Sequence, residues 1–252
     1  MKIVDVKGLV LSETNYSDSS KILNVLTEEY GCIGILSRGC RNLKSKLRGV
    51  SRKLLYGVFH FYYKEKGLST LISVDVLNSY PKTMMDLKNI VFASFLLDLT
   101  GQVVRQSEER SILSLTLAAL DKIEEGMDPF VITNILELKF LSFLGVSPTL
   151  DQCAICGSIH NIVSVSSTAG GLVCGDCSSL QQDGYYSEKV IQLLRMYYYV
   201  DIHKISKISV SAKANQEINQ FLDDYYDRYT GIYLKSKKLL QNVSRIMPKE
   251  NI

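Results

Sequence analysis

Four of the six cysteines form the pattern Cys153-x2-Cys156-x17-Cys174-x2-Cys177, and no other feature restricts the fold of this chain as tightly. Two CxxC pairs about 15–20 residues apart are a zinc-site template. Each pair presents two thiolates on a tight turn. Four thiolates complete a tetrahedral Zn2+ shell at roughly 2.3 Å and leave no open position, so the expected site is structural and not catalytic. Gly157 and Gly175 follow the second and third ligands, where knuckle turns need a permissive backbone. His160 is near but surplus and is expected on the surface. A disulfide pair or a thioredoxin-like redox site fits poorly, because the chain reads as cytosolic and no βαβ pattern surrounds either CxxC. The module, about residues 150–180, has too little apolar surface to fold alone, and metal binding supplies on the order of 10 kcal/mol. Of the other cysteines, Cys32 falls in a predicted strand and is expected to be buried. Cys40 falls among cations that favour its thiolate, but nothing else marks it as catalytic.

The hydrophobic period changes at Pro81. Before it the chain reads as β. Ile3, Val4, Val6, Leu9, Val10 and Leu11 form a first segment, with Gly8 as its expected bulge or bend. Residues 21–27 and 32–36 form a hairpin turned at 28–31. Residues 54–63 and 69–80 supply two more strands, turned at 64–67. Five strands with short turns in 80 residues predict a Greek-key barrel of the OB type, a fold that commonly binds single-stranded nucleic acid. SH3-like barrels have a similar strand count. After Pro81, Leu87, Ile90, Val91, Phe95, Leu96, Leu99 and Val103 recur at helical steps, and 110–125 repeats the pattern. Asp128-Pro129 fits an N-cap followed by Pro at N1, opening a third helix that Gly145 and Pro148 stop. Residues 187–200 and 211–229 are further helices whose tyrosines and phenylalanine are expected in a core. The expected class is thus α+β: an OB-fold domain at 1–80, then a helical domain at 81–252 with the zinc module inserted.

Charge is unevenly placed. The whole chain has 29 Lys+Arg against 26 Asp+Glu, a net +3, yet residues 1–80 carry +5 and the remainder −2. The excess narrows to residues 38–53, which hold Arg38, Arg41, Lys44, Lys46, Arg48, Arg52 and Lys53 with no acid. Such a run repels itself unless water or an anion is near. Gly39, Asn42, Ser45, Gly49 and Ser51 make it read as a mobile loop, placed between strands where it can follow a phosphate backbone.

Several classes find no support. Hydrophobic residues at 46% and charged residues at 22% are globular values. No apolar run approaches the ~18 residues of a membrane span. The first twelve residues, broken by Lys2, Asp5 and Lys7, do not read as a secretory signal. There is no Walker A, GxGxxG, HExxH or GxSxG motif, and His60, His160 and His203 stand in unrelated contexts. Asp223-Asp224 reads as a solvated helix face. A non-enzymatic binding role is therefore expected.

Four stretches, taken in order, resemble the RecO family of bacterial recombination mediators. The first runs from Gly8-Leu9-Val10-Leu11 through Tyr16-Ser17-Asp18-Ser19-Ser20-Lys21-Ile22-Leu23 to Leu26-Thr27 and Gly31. The second is Arg38-Gly39 with Lys44-Ser45-Lys46-Leu47-Arg48-Gly49. The third is Glu137-Leu138-Lys139-Phe140-Leu141 with Leu144-Gly145-Val146-Ser147-Pro148-Thr149-Leu150, running into Cys153 and Cys156. The fourth is Tyr233-Leu234-Lys235-Ser236-Lys237. The resemblance implies an OB fold, a helical body and a zinc module. It also implies DNA repair by recombination in the cytoplasm, at the nucleoid, with no membrane partner. It implies binding of single- and double-stranded DNA, annealing of complementary strands and partnership with RecR. It further implies contact with the acidic C-terminal tail of single-stranded DNA-binding protein, so that RecA loads onto coated strands. The family's DNA-contacting loop maps onto Arg38, Arg41, Lys44, Lys46 and Arg48, where the charge argument agrees. Tyr16, Phe59, Phe61 and Tyr63 are the stacking candidates, although strand alternation puts at least half of them inward. Lys235, Lys237 and Lys238 either attract the acidic tail or are solvated helix charges. A zinc-stabilised nucleic-acid-processing enzyme and a protein-only adaptor stand as the alternatives.

Overall fold

The computed structural model describes residues 2–179, 186, 188–234, 236, 237 and 240. Its residues group into two compact units, 1–124 and 125–252. In the first, β1 (Lys2–Tyr16), β2 (Ser20–Thr27), β3 (Gly31–Ser37), β4 (Tyr56–Tyr63) and β5 (Ser69–Asn78) close into a barrel. The order is β1-β2-β3-β5-β4, with β4 returning to β1. The β3–β5 pair is parallel, and the other barrel pairs are antiparallel. This Greek-key closure is the OB-type arrangement.

Alternation explains which side chains fill the barrel. Val4, Val6 and Val10 of β1, Leu23 and Val25 of β2, Ile35, Phe59, Phe61 and Leu71 form the core. Phe59 and Phe61 are wholly buried. Gly8 is not the bulge. It stays in register opposite both Thr27 and Gly57, and a Cβ there would lie 2.6 Å from Val25 Cγ1. The irregularity falls at Leu11, between the Val10 and Ser12 pairings with β2. Leu9 and Leu11, off the core parity, are buried where helix α1 (Leu87–Val103) packs on β1.

Asp86 caps α1 by accepting the Lys88 N–H at 2.7 Å. Helix α2 (Ser111–Glu124) packs on α1 through a buried Thr100–Thr116 hydroxyl contact of 3.0 Å. Its last residue, Glu124, accepts from the Lys82 and Thr83 amides and from the Thr83 hydroxyl at 2.7–2.9 Å. Partial burial opposes ionisation of Glu124, but these bonds outweigh it and hold its carboxyl below the usual range.

In the second unit α3 (Pro129–Phe143) is buried on almost every side, as its near-continuous apolar sequence requires. Asp128 caps it as expected, accepting the Phe130 N–H at 3.1 Å. A two-stranded sheet follows, β6 (Ile162–Ser166) with β7 (Gly171–Cys174), then the one-turn helix α4 (Gly175–Ser178). Helices α5 (Glu188–Tyr199) and α6 (Ala212–Tyr229) pack against α3 and each other. Tyr197, Phe221, Tyr225 and Tyr226 are buried, as expected of core aromatics, whereas Tyr198 and Tyr229 are half-buried and Tyr199 is exposed on the outer face of α5.

On the outer barrel face His60 bridges two strands. Its Nδ1 lies 2.6 Å from Asp5 Oδ1 and its Nε2 3.0 Å from Asp75 Oδ2. Only the imidazolium donates at both nitrogens, so the Asp5 and Asp75 hydrogen bonds raise the His60 pKa against slight burial. The raised folded value means that the contribution is fully present below the unfolded pKa of about 6.5. It is lost as pH rises through the folded value. His60→Ala is expected to lower the melting temperature most below about pH 6.5, by the equivalent of at most about 1 kcal/mol. The deficit should close at higher pH; a pH-independent deficit would refute the imidazolium bridge.

Candidate nucleic-acid interface and metal centre

The basic segment is not an open loop. Asn42, Ser45, Arg48 and Ser51 amides donate to Gly39, Asn42, Ser45 and Leu47 carbonyls, giving a string of turns from 39 to 51. Leu47 and Val50 pack on the barrel core. Both ends are fastened to the β1–β2 hairpin. At the start, the Arg41 amide donates to Ser19 O at 2.8 Å and the Gly39 amide to Ser20 Oγ at 3.2 Å. At the end, the Lys53 amide donates to Glu13 Oε2 at 2.8 Å.

The seven cations separate into two kinds. Lys53 pairs with Asp98 at 3.2 Å, and Arg52 donates to Ser79 O at 3.1 Å, so both are committed to the fold. Arg38, Arg41, Lys44, Lys46 and Arg48 are exposed, and among the described residues none of them pairs with a carboxylate. Arg41 also donates to Ser17 O at 3.3 Å, which places it at the hairpin tip. Five exposed cations on closely bonded turns give this surface a positive field that favours anions.

The aromatic candidates divide. Phe59 and Phe61 are in the barrel core and unavailable for stacking. Tyr63 packs on Tyr30 with ring centroids 4.9 Å apart. Tyr16, at the hairpin tip, is 48% exposed. Sequence reasoning missed Leu43, 82% exposed between Asn42 and Lys44, where its apolar side chain can meet the face of a base. The available signal was a leucine inside a basic turn. Cys32, expected to be buried, is exposed, and Cys40, in the basic segment, is buried. Cys32 lies on the outward parity of β3. Cys40 is pressed in where its neighbours Gly39 and Arg41 bond to the hairpin.

In the second unit, the four cysteines converge. Their sulfurs all lie within 4.8 Å of one another, and Cys156 Sγ is 3.6 Å from Cys174 Sγ. A tetrahedral ion with bonds of roughly 2.3 Å needs sulfurs about 3.8 Å apart, so the four thiols lie close to the arrangement that one ion such as Zn2+ would need. The knuckle turn closes through the Gly157 amide on Cys153 O at 2.9 Å, with Gly157 at φ +76. The β6–β7 hairpin brings the second CxxC to the first. Gly175 stands so close to Asn161 that a Cβ would lie 2.5 Å from its amide nitrogen. Burial opposes ionisation of Cys153, but the amides of Cys156, Cys174 and Ile155 outweigh it and hold the thiol down to about 6. Contact with Cys156, followed by burial, pushes Cys177 up to about 12. Crowded thiolates resist ionisation together, and a divalent cation removes that repulsion. His160 is exposed and outside the cluster, as expected.

Of the C-terminal lysines, Lys235 and Lys238 lie outside the described residues. Lys237 is not a solvated charge. It pairs with Asp223 at 2.8 Å and sits 5.5 Å from the Tyr226 ring centroid. Asp223 is therefore also not simply a solvated face. Burial pushes Glu137 of α3 up to about 8, while nearby Lys237 pulls it down. The Tyr226 hydroxyl donates to Glu137 O at 2.8 Å. Glu137 and Lys237, far apart in sequence, thus belong to one buried electrostatic cluster.

Comparison with known proteins matches residues 1–80 to the family described as "Recombination protein O N terminal" and residues 84–238 to "Recombination protein O C terminal". Three curated relatives are each named DNA repair protein RecO. The Bacillus pumilus (strain SAFR-032) protein is 34% identical over 256 residues, 99% of this chain and 99% of its own. The Listeria monocytogenes serotype 4b (strain F2365) protein is 32% identical over 243 residues, 95% of this chain and 94% of its own. The Halalkalibacterium halodurans protein is 32% identical over 239 residues, 94% of each chain.

Removing metal with a chelator is expected to open the segment around 150–179 to protease while barrel fragments stay protected. Metal binding there is worth on the order of 10 kcal/mol. Cys153→Ser should reproduce the effect. An unchanged cleavage pattern after metal analysis shows complete removal would count against a structural metal.

Proposed function

The chain belongs to the RecO family, and from that premise we propose that it acts as a recombination mediator in DNA repair. It binds single- and double-stranded DNA through Arg38, Arg41, Lys44, Lys46 and Arg48 and brings complementary strands together to anneal. With RecR, and through the acidic C-terminal tail of single-stranded DNA-binding protein, it helps RecA load onto coated strands. It works by binding and not by covalent chemistry. Cys153, Cys156, Cys174 and Cys177 hold a structural Zn2+. The site of action is the cytoplasm, at the nucleoid. Among the described residues no helix is long and apolar enough to cross a membrane.

The observation that carries this reading is the array of five exposed cations, without carboxylate partners among the described residues, in a segment bonded to the hairpin tip of an OB-type barrel. Each phosphate that a Lys or Arg neutralises releases condensed counterions, and that release drives association. A strand held on a positive surface repels its complement less, which favours annealing. Tyr16 and Leu43 offer contact to base faces beside the phosphate-binding cations.

Replacing Lys44, Lys46 and Arg48 together with Ala is expected to weaken binding to a fluorescent single strand irrespective of its sequence. The dependence of log K on log salt should flatten by roughly 0.7 per lost contact. Unchanged affinity and slope would remove these residues from the interface. Salt-insensitive or absent binding by the natural protein would favour a protein-only adaptor. DNA cleavage or nucleotide turnover in the same samples would favour an enzyme.

A further inference from the structure

The positive loop rests on a carboxylate. Glu13 projects from β1 and divides its two oxygens between different parts of the chain. Oε1 accepts from Lys21 Nζ of β2 at 2.7 Å, and Oε2 accepts the backbone N–H of Lys53 at 2.8 Å. Lys21 Nζ in turn donates to Ser51 O at 3.2 Å, and the buried Ser51 hydroxyl meets Ser37 Oγ at 2.7 Å. Glu13 and Lys21 are only 30% and 21% exposed at their side chains, so water competes weakly for these bonds. Lys21, though basic and beside the loop, is neutralised within the fold. Glu13 thereby places a negative charge at the base of the segment that carries the five exposed cations, an odd place on a surface that attracts phosphate.

We infer that Glu13 is a positioning residue for the basic loop: it ties the last turn to the β1–β2 hairpin, so that Arg38, Arg41, Lys44, Lys46 and Arg48 stand in a fixed array. The hairpin already holds the first turn through Ser19 and Ser20. With both ends on one hairpin, the loop's mutually repelling cations are prevented from spreading. An array fixed in advance loses less conformational entropy when it meets a phosphate backbone. The DNA consequence rests on the function proposed above; the loop geometry does not.

Two accounts of Glu13 predict opposite signs. If its charge only adds to the surface field, Glu13→Gln removes a repulsive charge and tightens DNA binding. If it positions the loop, the same isosteric change weakens binding, on the order of tenfold, although the protein becomes more positive. The experiment measures single-strand affinity and the rate of tryptic cleavage within residues 41–48 for the natural chain and Glu13→Gln, with thermal melts of both. Weaker binding with faster cleavage at an unchanged melting temperature is the expected result. Equal or tighter binding, or unchanged cleavage, overturns the inference. If Glu13→Gln lowers the melting temperature, Glu13→Asp replaces it. That change keeps the charge but shortens the reach to both partners, and the same outcomes decide. Faster cleavage in a protein whose natural form binds no DNA would uphold the positioning role and reject the DNA-binding function instead.

Discussion

One strand has to serve two neighbours for the barrel to exist. The first half of β1 pairs with β4, its second half pairs with β2, and around Gly8 and Leu9 it does both at once. At that crossing little room is left for a side chain: a Cβ on Gly8 would lie 2.6 Å from Val25 Cγ1 and 3.1 Å from Leu26 O of β2, and Gly8 stands opposite Gly57 of β4. Beyond the crossing, the irregularity at Leu11 lets β1 turn from one partner to the other. At Val10 the chain leaving the basic loop takes the place of β4, through Val10–Leu55 and Leu54–Val10 backbone bonds of 2.9 and 3.1 Å. Placement of Glu13, of the hairpin tip and of the loop all follows from this division of one strand.

The same division sorts the charges. Cations near the barrel end in one of two states. Lys21, Arg52 and Lys53 are spent within the fold on Glu13, Ser79 and Asp98. The five cations between residues 38 and 48 are exposed and, among the described residues, without carboxylate partners. A count of charge over the sequence cannot distinguish the two states, because the first depends on partners that the fold brings up: carboxylates for Lys21 and Lys53 and a backbone carbonyl for Arg52.

The second unit is organised by electrostatics of another kind. Four thiols within 4.8 Å resist ionising together, which a single divalent cation reverses. Near α3, Glu137 and Lys237 share a cluster with Asp223. Two of the stretches that mark the family resemblance, far apart in the chain, therefore include partners in a buried charge cluster. Their presence together has a physical reason independent of any DNA or protein contact.

Much of the architecture was legible in the sequence. All five barrel strands, the change to helix after Pro81, the Asp128-Pro129 start of α3 and the cysteine quartet follow from period, turn chemistry and spacing. These are local signals that each segment carries by itself. Other features were not legible. The β6–β7 hairpin is too short to stand out, and it exists because it joins one CxxC to the other. Gly8 resembles a bulge in sequence but is a close crossing in space. Phe59 and Phe61 face inward while His60 and Tyr62 face outward, a choice that aromatic content cannot make because both parities of β4 carry rings. Cys32, expected to be buried, is exposed because it lies on the outward parity of β3. The sequence by itself determined the barrel strands, the main helices, their order and the cysteine spacing, since these rest on neighbouring residues. Only the tertiary structure decided which face of each strand is inside, which cations are neutralised and which remain free, since these depend on partners that the chain brings together only by closing the barrel.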